Sequence, residues 1–105
     1  MTCFGHQSGE GESGVNIAEG VGGGLLIDLG ALNDISYDAE TKIASAGPAT
    51  KGGDELSPYL EEQGRFFNGG HCPSVGIGGF LLQGGQGWNQ RGWGWAAESV
   101  VAVDV

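Results

Sequence analysis

Gly69-Gly70-His71-Cys72-Pro73-Ser74-Val75-Gly76-Ile77-Gly78-Gly79-Phe80 sets one thiol inside a backbone that is almost free of side chains. Glycine has no Cβ, so successive main-chain N–H groups can approach an anion or a planar ring closely. A bare glycine loop is costly to order, and that loss is recovered when something large occupies it. The alternative is a turn-rich linker with an incidental buried cysteine, because free cysteine often serves as a small core residue. A short helix of one or two turns is expected over Ile77–Leu82.

Outward from this loop, Leu56, Tyr59 and Leu60 fall at i, i+3 and i+4 within Gly53–Gln63, with Asp54 and Glu55 near the start and Gly64 at the stop. That spacing predicts an amphipathic helix whose early acids suit the positive end of its dipole. Pro58 is tolerated there only because it lies near the first turn. Earlier, Asp34–Asp38 and Lys42–Ala46 flank Ala39-Glu40-Thr41, and Gly47-Pro48 stops the second run, which reads as a β-hairpin. Leu25–Leu29 is an apolar run of strand length, residues 1–24 read as loop, and the β-branched run Ser99–Val105 reads as a strand. Trp88, Trp93 and Trp95 are expected in the core, since large aromatics usually bury area.

The chain has 105 residues, room for one small domain or a piece of one. Glycine supplies 23 positions, yet three Trp, four Phe and several apolar runs speak against disorder. A formal charge of −9 repels phosphate backbones and anionic head groups, so neither nucleic acid nor a membrane surface is an expected partner. No apolar run approaches the roughly 20 residues that span a bilayer.

Cys3 and Cys72 can form one disulfide, though their spacing resembles no disulfide framework. Gly9-Glu10-Gly11-Glu12-Ser13-Gly14 satisfies the GxGxxG pattern but follows no strand, and its two glutamates would repel a pyrophosphate. Cys3, His6, His71 and Cys72 raise a zinc module as a further reading, against which stands the adjacency of His71 and Cys72. A thiolate pair of Cys72 with a histidine lacks a third, orienting group. A covalent cofactor site fits better: the Cys72 thiolate and the His6 imidazole both attaching to one electron-poor ring, with glycine loops as the contact surface.

The segment from Gly22 to Val105 resembles the FAD-binding domain of the vanillyl-alcohol oxidase and p-cresol methylhydroxylase type, in its berberine bridge enzyme-like branch. The resembling features are Gly24–Leu29, Leu32-Asn33, Gly47-Pro48, the 69–79 loop, Gly84-Gly85-Gln86-Gly87-Trp88, Arg91, Gly94 and Glu98-Ser99-Val100. The resemblance implies an α+β fold, a small mostly antiparallel sheet with flanking helices, in which residues 1–105 form the second half of that domain. It also implies FAD held at two points, with His6 on the 8α methyl and Cys72 on ring carbon 6. Gly69, Gly70, Ser74, Gly76, Gly78 and Gly79 would then line the flavin and its pyrophosphate, and Val103 would meet the cofactor through its main chain. Val75 sits where the branch controls oxygen access, and its small side chain resembles the oxidase condition.

His6 departs from the family pattern: Phe4-Gly5-His6 replaces the usual Gly-Gly-His, and the customary preceding Arg is missing. Glu98 stands where the family often has Asp and reads as a turn or strand cap. The earlier part of the domain and the substrate domain with its catalytic base are not among these residues, so the expectation is a fragment that is inactive alone. In an intact relative the function implied is an oxidase of an alcohol, carbohydrate or secondary-metabolite substrate, with oxygen as acceptor. The rival reading is a noncatalytic glycine-rich remnant that binds a protein partner or nothing.

Overall fold

The computed structural model describes residues 28–104. Expectations for residues 1–24, for the strand start at Leu25–Ile27, for the GxGxxG stretch, for Cys3 and His6, and for Val105 lie outside the described residues. Asp28 and Leu29, the end of that expected strand, carry no regular structure.

The hairpin forms as its sequence requires. Strands β1 (Ile35–Asp38) and β2 (Ile43–Ala46) pair antiparallel, with Ile35 opposite Ala46 and Asp38 opposite Ile43. The loop between them is closed by the Asp38 carboxylate, whose Oδ1 accepts from the N–H of Glu40 at 2.9 Å and of Thr41 at 3.5 Å. The last loop residue, Lys42, sits at φ 59°, in the left-handed region.

Gly47 then lets the chain double back, its N–H donating to the Asp34 carbonyl at 2.9 Å, and the following segment enters the helical part of the fold. The predicted helix is present, but it begins with a wide π turn, Gly52–Leu56, before helix α1, Ser57–Glu62. The cause is the approach of Pro73: its carbonyl accepts the N–H groups of Gly53 at 3.0 Å and Asp54 at 3.1 Å. Gly52's carbonyl then takes both the N–H and the Oγ of Ser57, the latter at 2.8 Å, closing an i to i+5 ring. Pro58 lies in the first turn of α1, where its missing N–H is harmless. Glu55 caps the turn, its Oε2 accepting from the Lys51 N–H at 2.8 Å, and Gly64 ends the helix at φ 67°.

Leu56 and Leu60 of this helical segment pack with Ile77 as the buried centre of the domain, wrapped by Ile35, Tyr37, Ala46, Tyr59, Phe67 and Leu81. Leu56, Leu60 and Ile77 each contribute roughly 1.5–3 kcal/mol by leaving water. Arg65 ties the helix end to the hairpin, its Nε donating to the Tyr37 hydroxyl at 2.7 Å. Helix α2 (Ile77–Leu82) follows the glycine loop as expected, and a short helix α3 (Gln90–Trp93) and a 3-10 turn (Ala96–Ser99) complete the described elements. The architecture is α+β.

Two expectations are corrected. Ser99–Val105 is no strand: Ser99 closes the 3-10 turn, and 100–104 have no regular structure. Val100 is extended, at φ −78° and ψ 123°, but its N–H turns back to Ala97, and no described strand offers a ladder. Trp88, Trp93 and Trp95 are not core; they stand 65%, 59% and 43% exposed. Phe66 meets the Trp93 ring edge-on at 4.8 Å, and the centroids of His71 and Trp88 lie 3.8 Å apart. Glu98 does cap its turn, accepting from the Trp95 N–H at 3.4 Å.

Candidate flavin-binding loop

The loop of 69–76 runs between two anchors. On one side Asn68, buried, uses its side-chain Nδ2 to donate to the Gly94 carbonyl at 3.0 Å and its Oδ1 to accept from the Asn89 N–H at 3.0 Å. On the other, Lys51 and Gly76 form an antiparallel bridge, framed by Gly52 N–H to Val75 carbonyl at 3.0 Å and Ile77 N–H to Thr50 carbonyl at 2.9 Å. The π turn therefore grips the loop at Pro73 and Val75 while the Asn68 amide grips its start.

Between these anchors the backbone leaves donors over. The N–H groups of Gly70, His71, Ser74 and Gly76 engage no acceptor among the described residues. Backbone donors are satisfied almost everywhere in native proteins, so a cluster of four within seven residues marks a place where a polar partner fits. Pro73 and Ser74 are exposed, while His71, Cys72 and Val75 are half-buried. The loop thus offers a donor-rich ribbon of main chain, open at Pro73 and Ser74 and buried at Gly76.

The expected site residues separate into groups. Gly69, Gly70, Cys72, Ser74, Val75 and Gly76 lie on this one ribbon, and Gly78 and Gly79 lie in the first turn of α2, where the Gly78 N–H is already taken by the Pro48 carbonyl at 3.0 Å. Gly69 and Gly70 have a packing role beside any ligand role: a Cβ at Gly69 would stand 3.2 Å from the Phe67 ring, and one at Gly70 would stand 3.0 Å from the Phe80 ring. Val103 is exposed in the C-terminal segment and makes no bond to the loop. His6 lies outside the described residues.

Cys72 is disulfide-bonded. The main chain therefore fits a flavin, whose polar ring edge and pyrophosphate need donors of this kind, whereas the sulfur in this state does not fit a thioether. A zinc thiolate is likewise closed to it, and no group of three metal-ligating side chains occurs among the described residues. None of their helices is long and apolar enough to cross a membrane.

Sequence reasoning missed two polar residues that shape the site. Asn68 carried no local signal, since its partners lie at 89 and 94. Thr50, which bridges to Ile77 through its carbonyl, buries a hydroxyl that finds no hydrogen-bond partner among the described residues.

Residues 7–105 match the family described as FAD binding domain. Among curated relatives, the FAD-linked oxidoreductase ptmO of Penicillium ochrochloron is 49% identical over 77% of this chain and 18% of its own length. The xylooligosaccharide oxidase of Thermothelomyces thermophilus is 35% identical over 82% of this chain and 17% of its own. The carbohydrate oxidase of Microdochium nivale is 37% identical over 82% of this chain and 18% of its own. The chain thus spans less than a fifth of these relatives. No solved structure matches.

Proposed function

The chain belongs to the FAD-binding domain family, and from that premise we propose that residues 1–105 form part of the cofactor-holding domain of a flavin-dependent oxidoreductase of the berberine bridge enzyme-like branch. The observation that carries the reading is the family match together with the unbonded N–H groups of the 69–76 ribbon.

In this reading the main chain of Gly69, Gly70, Ser74, Gly76, Gly78 and Gly79 lies against the flavin and its pyrophosphate, and Val103 meets the cofactor through its backbone. His6 and, in its reduced thiol state, Cys72 hold the ring covalently, which keeps the cofactor from exchanging. FAD, when bound, would supply two-electron chemistry between a substrate C–H bond and oxygen. Val75 sets the room beside the ring through which oxygen arrives. The Asn68 amide and the π turn keep the ribbon in register from both ends. The substrate class is an alcohol, a carbohydrate or a secondary metabolite, and the names of two relatives, a xylooligosaccharide oxidase and a carbohydrate oxidase, speak for the carbohydrate.

Denaturing electrophoresis viewed by flavin fluorescence tests this reading. A fluorescent band that weakens in Cys72→Ala and in His6→Ala is expected. Colourless protein that takes up no added FAD overturns it.

A further inference from the structure

Trp88 is 65% exposed, yet its indole lies on the ring of His71, with the centroids 3.8 Å apart and the planes at 48°. Burial does not hold it there, since a ring mostly in water gains little by that route. Its backbone does. The Trp88 N–H donates to the Gly69 carbonyl at 3.1 Å, Gly87 passes so close to Asn68 that a Cβ would collide with it, and the Asn89 N–H donates to the Asn68 Oδ1 at 3.0 Å. The clamp at the start of the glycine ribbon therefore also places the indole, which reaches two residues further along.

The ribbon needs a hold at that point. Its start is tied at Asn68 and Gly69, and its far end at Pro73, Val75 and Gly76. Between them lie Gly70 and His71, whose N–H groups engage no acceptor among the described residues. Gly70 brings no side chain, so the imidazole of His71 is the handle by which this stretch can be gripped, and Trp88 grips it.

We propose that Trp88 is a positioning residue for the cofactor: stacked on His71, it fixes the middle of the ribbon and keeps the N–H groups of Gly70 and His71 in place before the cofactor arrives. The inference rests on the flavin reading of this loop. Glycine-rich main chain loses much conformational freedom when it is ordered, and a ring pair that orders it beforehand leaves less to be lost on binding. The coupling of one aromatic pair corresponds to about a three- to tenfold change in affinity. Because the indole is exposed, its removal should leave the Leu56, Leu60 and Ile77 core as it is.

The test uses the full chain with FAD as probe, titrated by the change in flavin emission within seconds of mixing, ahead of any covalent attachment. Trp88→Ala and His71→Ala should each weaken FAD about three- to tenfold, and the double variant should bind no more weakly than either, because both remove one contact. Trp88→Phe keeps a ring for His71 and should restore most of the affinity. In the protein without FAD, the Val75 N–H, bonded to the Cys72 carbonyl at 3.3 Å, should exchange with deuterium faster in Trp88→Ala than in wild type, while the urea midpoint stays near that of wild type. Equal FAD affinity in wild type and Trp88→Ala overturns the positioning role and leaves the flavin reading standing, as does unchanged exchange at Val75. Losses that add in the double variant also overturn it. A wild type that takes up no FAD overturns the flavin reading, and this inference with it.

Discussion

The side-chain amide of Asn68 donates to the carbonyl of Gly94 at 3.0 Å, joining the start of the glycine ribbon to the end of α3 across 26 positions of sequence. The same amide serves the Asn89 N–H, and Gly87 has no Cβ because one would collide with the Asn68 side chain and carbonyl. Asn68→Ala leaves a part-buried donor and acceptor without partners and should cost about 1–3 kcal/mol. Asn68→Asp, which keeps the acceptor for Asn89 but sets an oxygen against the Gly94 carbonyl, should also destabilise the fold. Urea unfolding of both variants beside wild type reads the losses.

Asp38 makes the hairpin sensitive to acid. The Glu40 N–H first, and then Thr41, hold its carboxyl below the ordinary value of 3.8. A carboxylate depressed in the folded state contributes stability above its unfolded value, and that contribution fades as the pH falls through and below 3.8. Asp38→Asn should therefore flatten the acid limb of a thermal-stability profile while changing little of the profile's shape at neutral pH. An unchanged acid slope in the variant would remove Asp38 from the account.

Lys42 occupies the left-handed region at φ 59°. A side chain there costs roughly 1–2 kcal/mol, and glycine gives back part of that gain through its own entropy of about 0.5–1 kcal/mol. Lys42→Gly should thus raise stability by up to about 1.5 kcal/mol, whereas Lys42→Val, β-branched at the same angle, should lower it. Thermal melts separate the two signs.

Much of this was legible in the residues. The Ala39–Thr41 turn between two short runs, the 56, 59, 60 spacing and the Gly64 stop are local signals, and hairpin and helix stand where they put them, except that Asp34 and Lys42 fall outside the strands. The π turn was not legible, because its cause is the carbonyl of Pro73, twenty residues downstream of Gly53. The 99–105 run has the side chains of a strand, but a strand also needs a neighbour, and composition does not say whether one is present. The three tryptophans fail for a related reason: apolar area is local, while the surface that would cover it is not. In the candidate site, the glycine ribbon was legible as a donor-rich loop, whereas the Asn68 clamp depends on residues at 89 and 94.

Thr50 is fully buried, and its hydroxyl has no partner among the described residues. An unpaired buried hydroxyl costs about 1–3 kcal/mol by mutational measures, and valine fills the same volume without it. Thr50→Val should therefore be neutral or stabilising by up to that amount in chemical denaturation. A clear destabilisation would mean that the hydroxyl finds a partner in solution.

Gly53 decides how closely the Cys72 loop can approach the helical segment. A Cβ there would overlap the Cα of Pro73, an atom of the backbone that cannot rotate away, so Gly53→Ala must push the two segments apart. Both N–H donations to the Pro73 carbonyl, from Gly53 and Asp54, weaken when they separate. Overpacking of this kind costs typically 1–3 kcal/mol. The displacement has a direction that stability alone does not report: Pro73 follows Cys72, so the loop moves with its thiol. In Gly53→Ala the reduced Cys72 should alkylate faster than in wild type, because the half-buried sulfur is carried outward. Ser57→Ala, which removes only the hydroxyl bond to Gly52, should cost less and leave that rate alone. Equal alkylation rates in wild type and Gly53→Ala would show that the Pro73 contact positions the helix and not the loop.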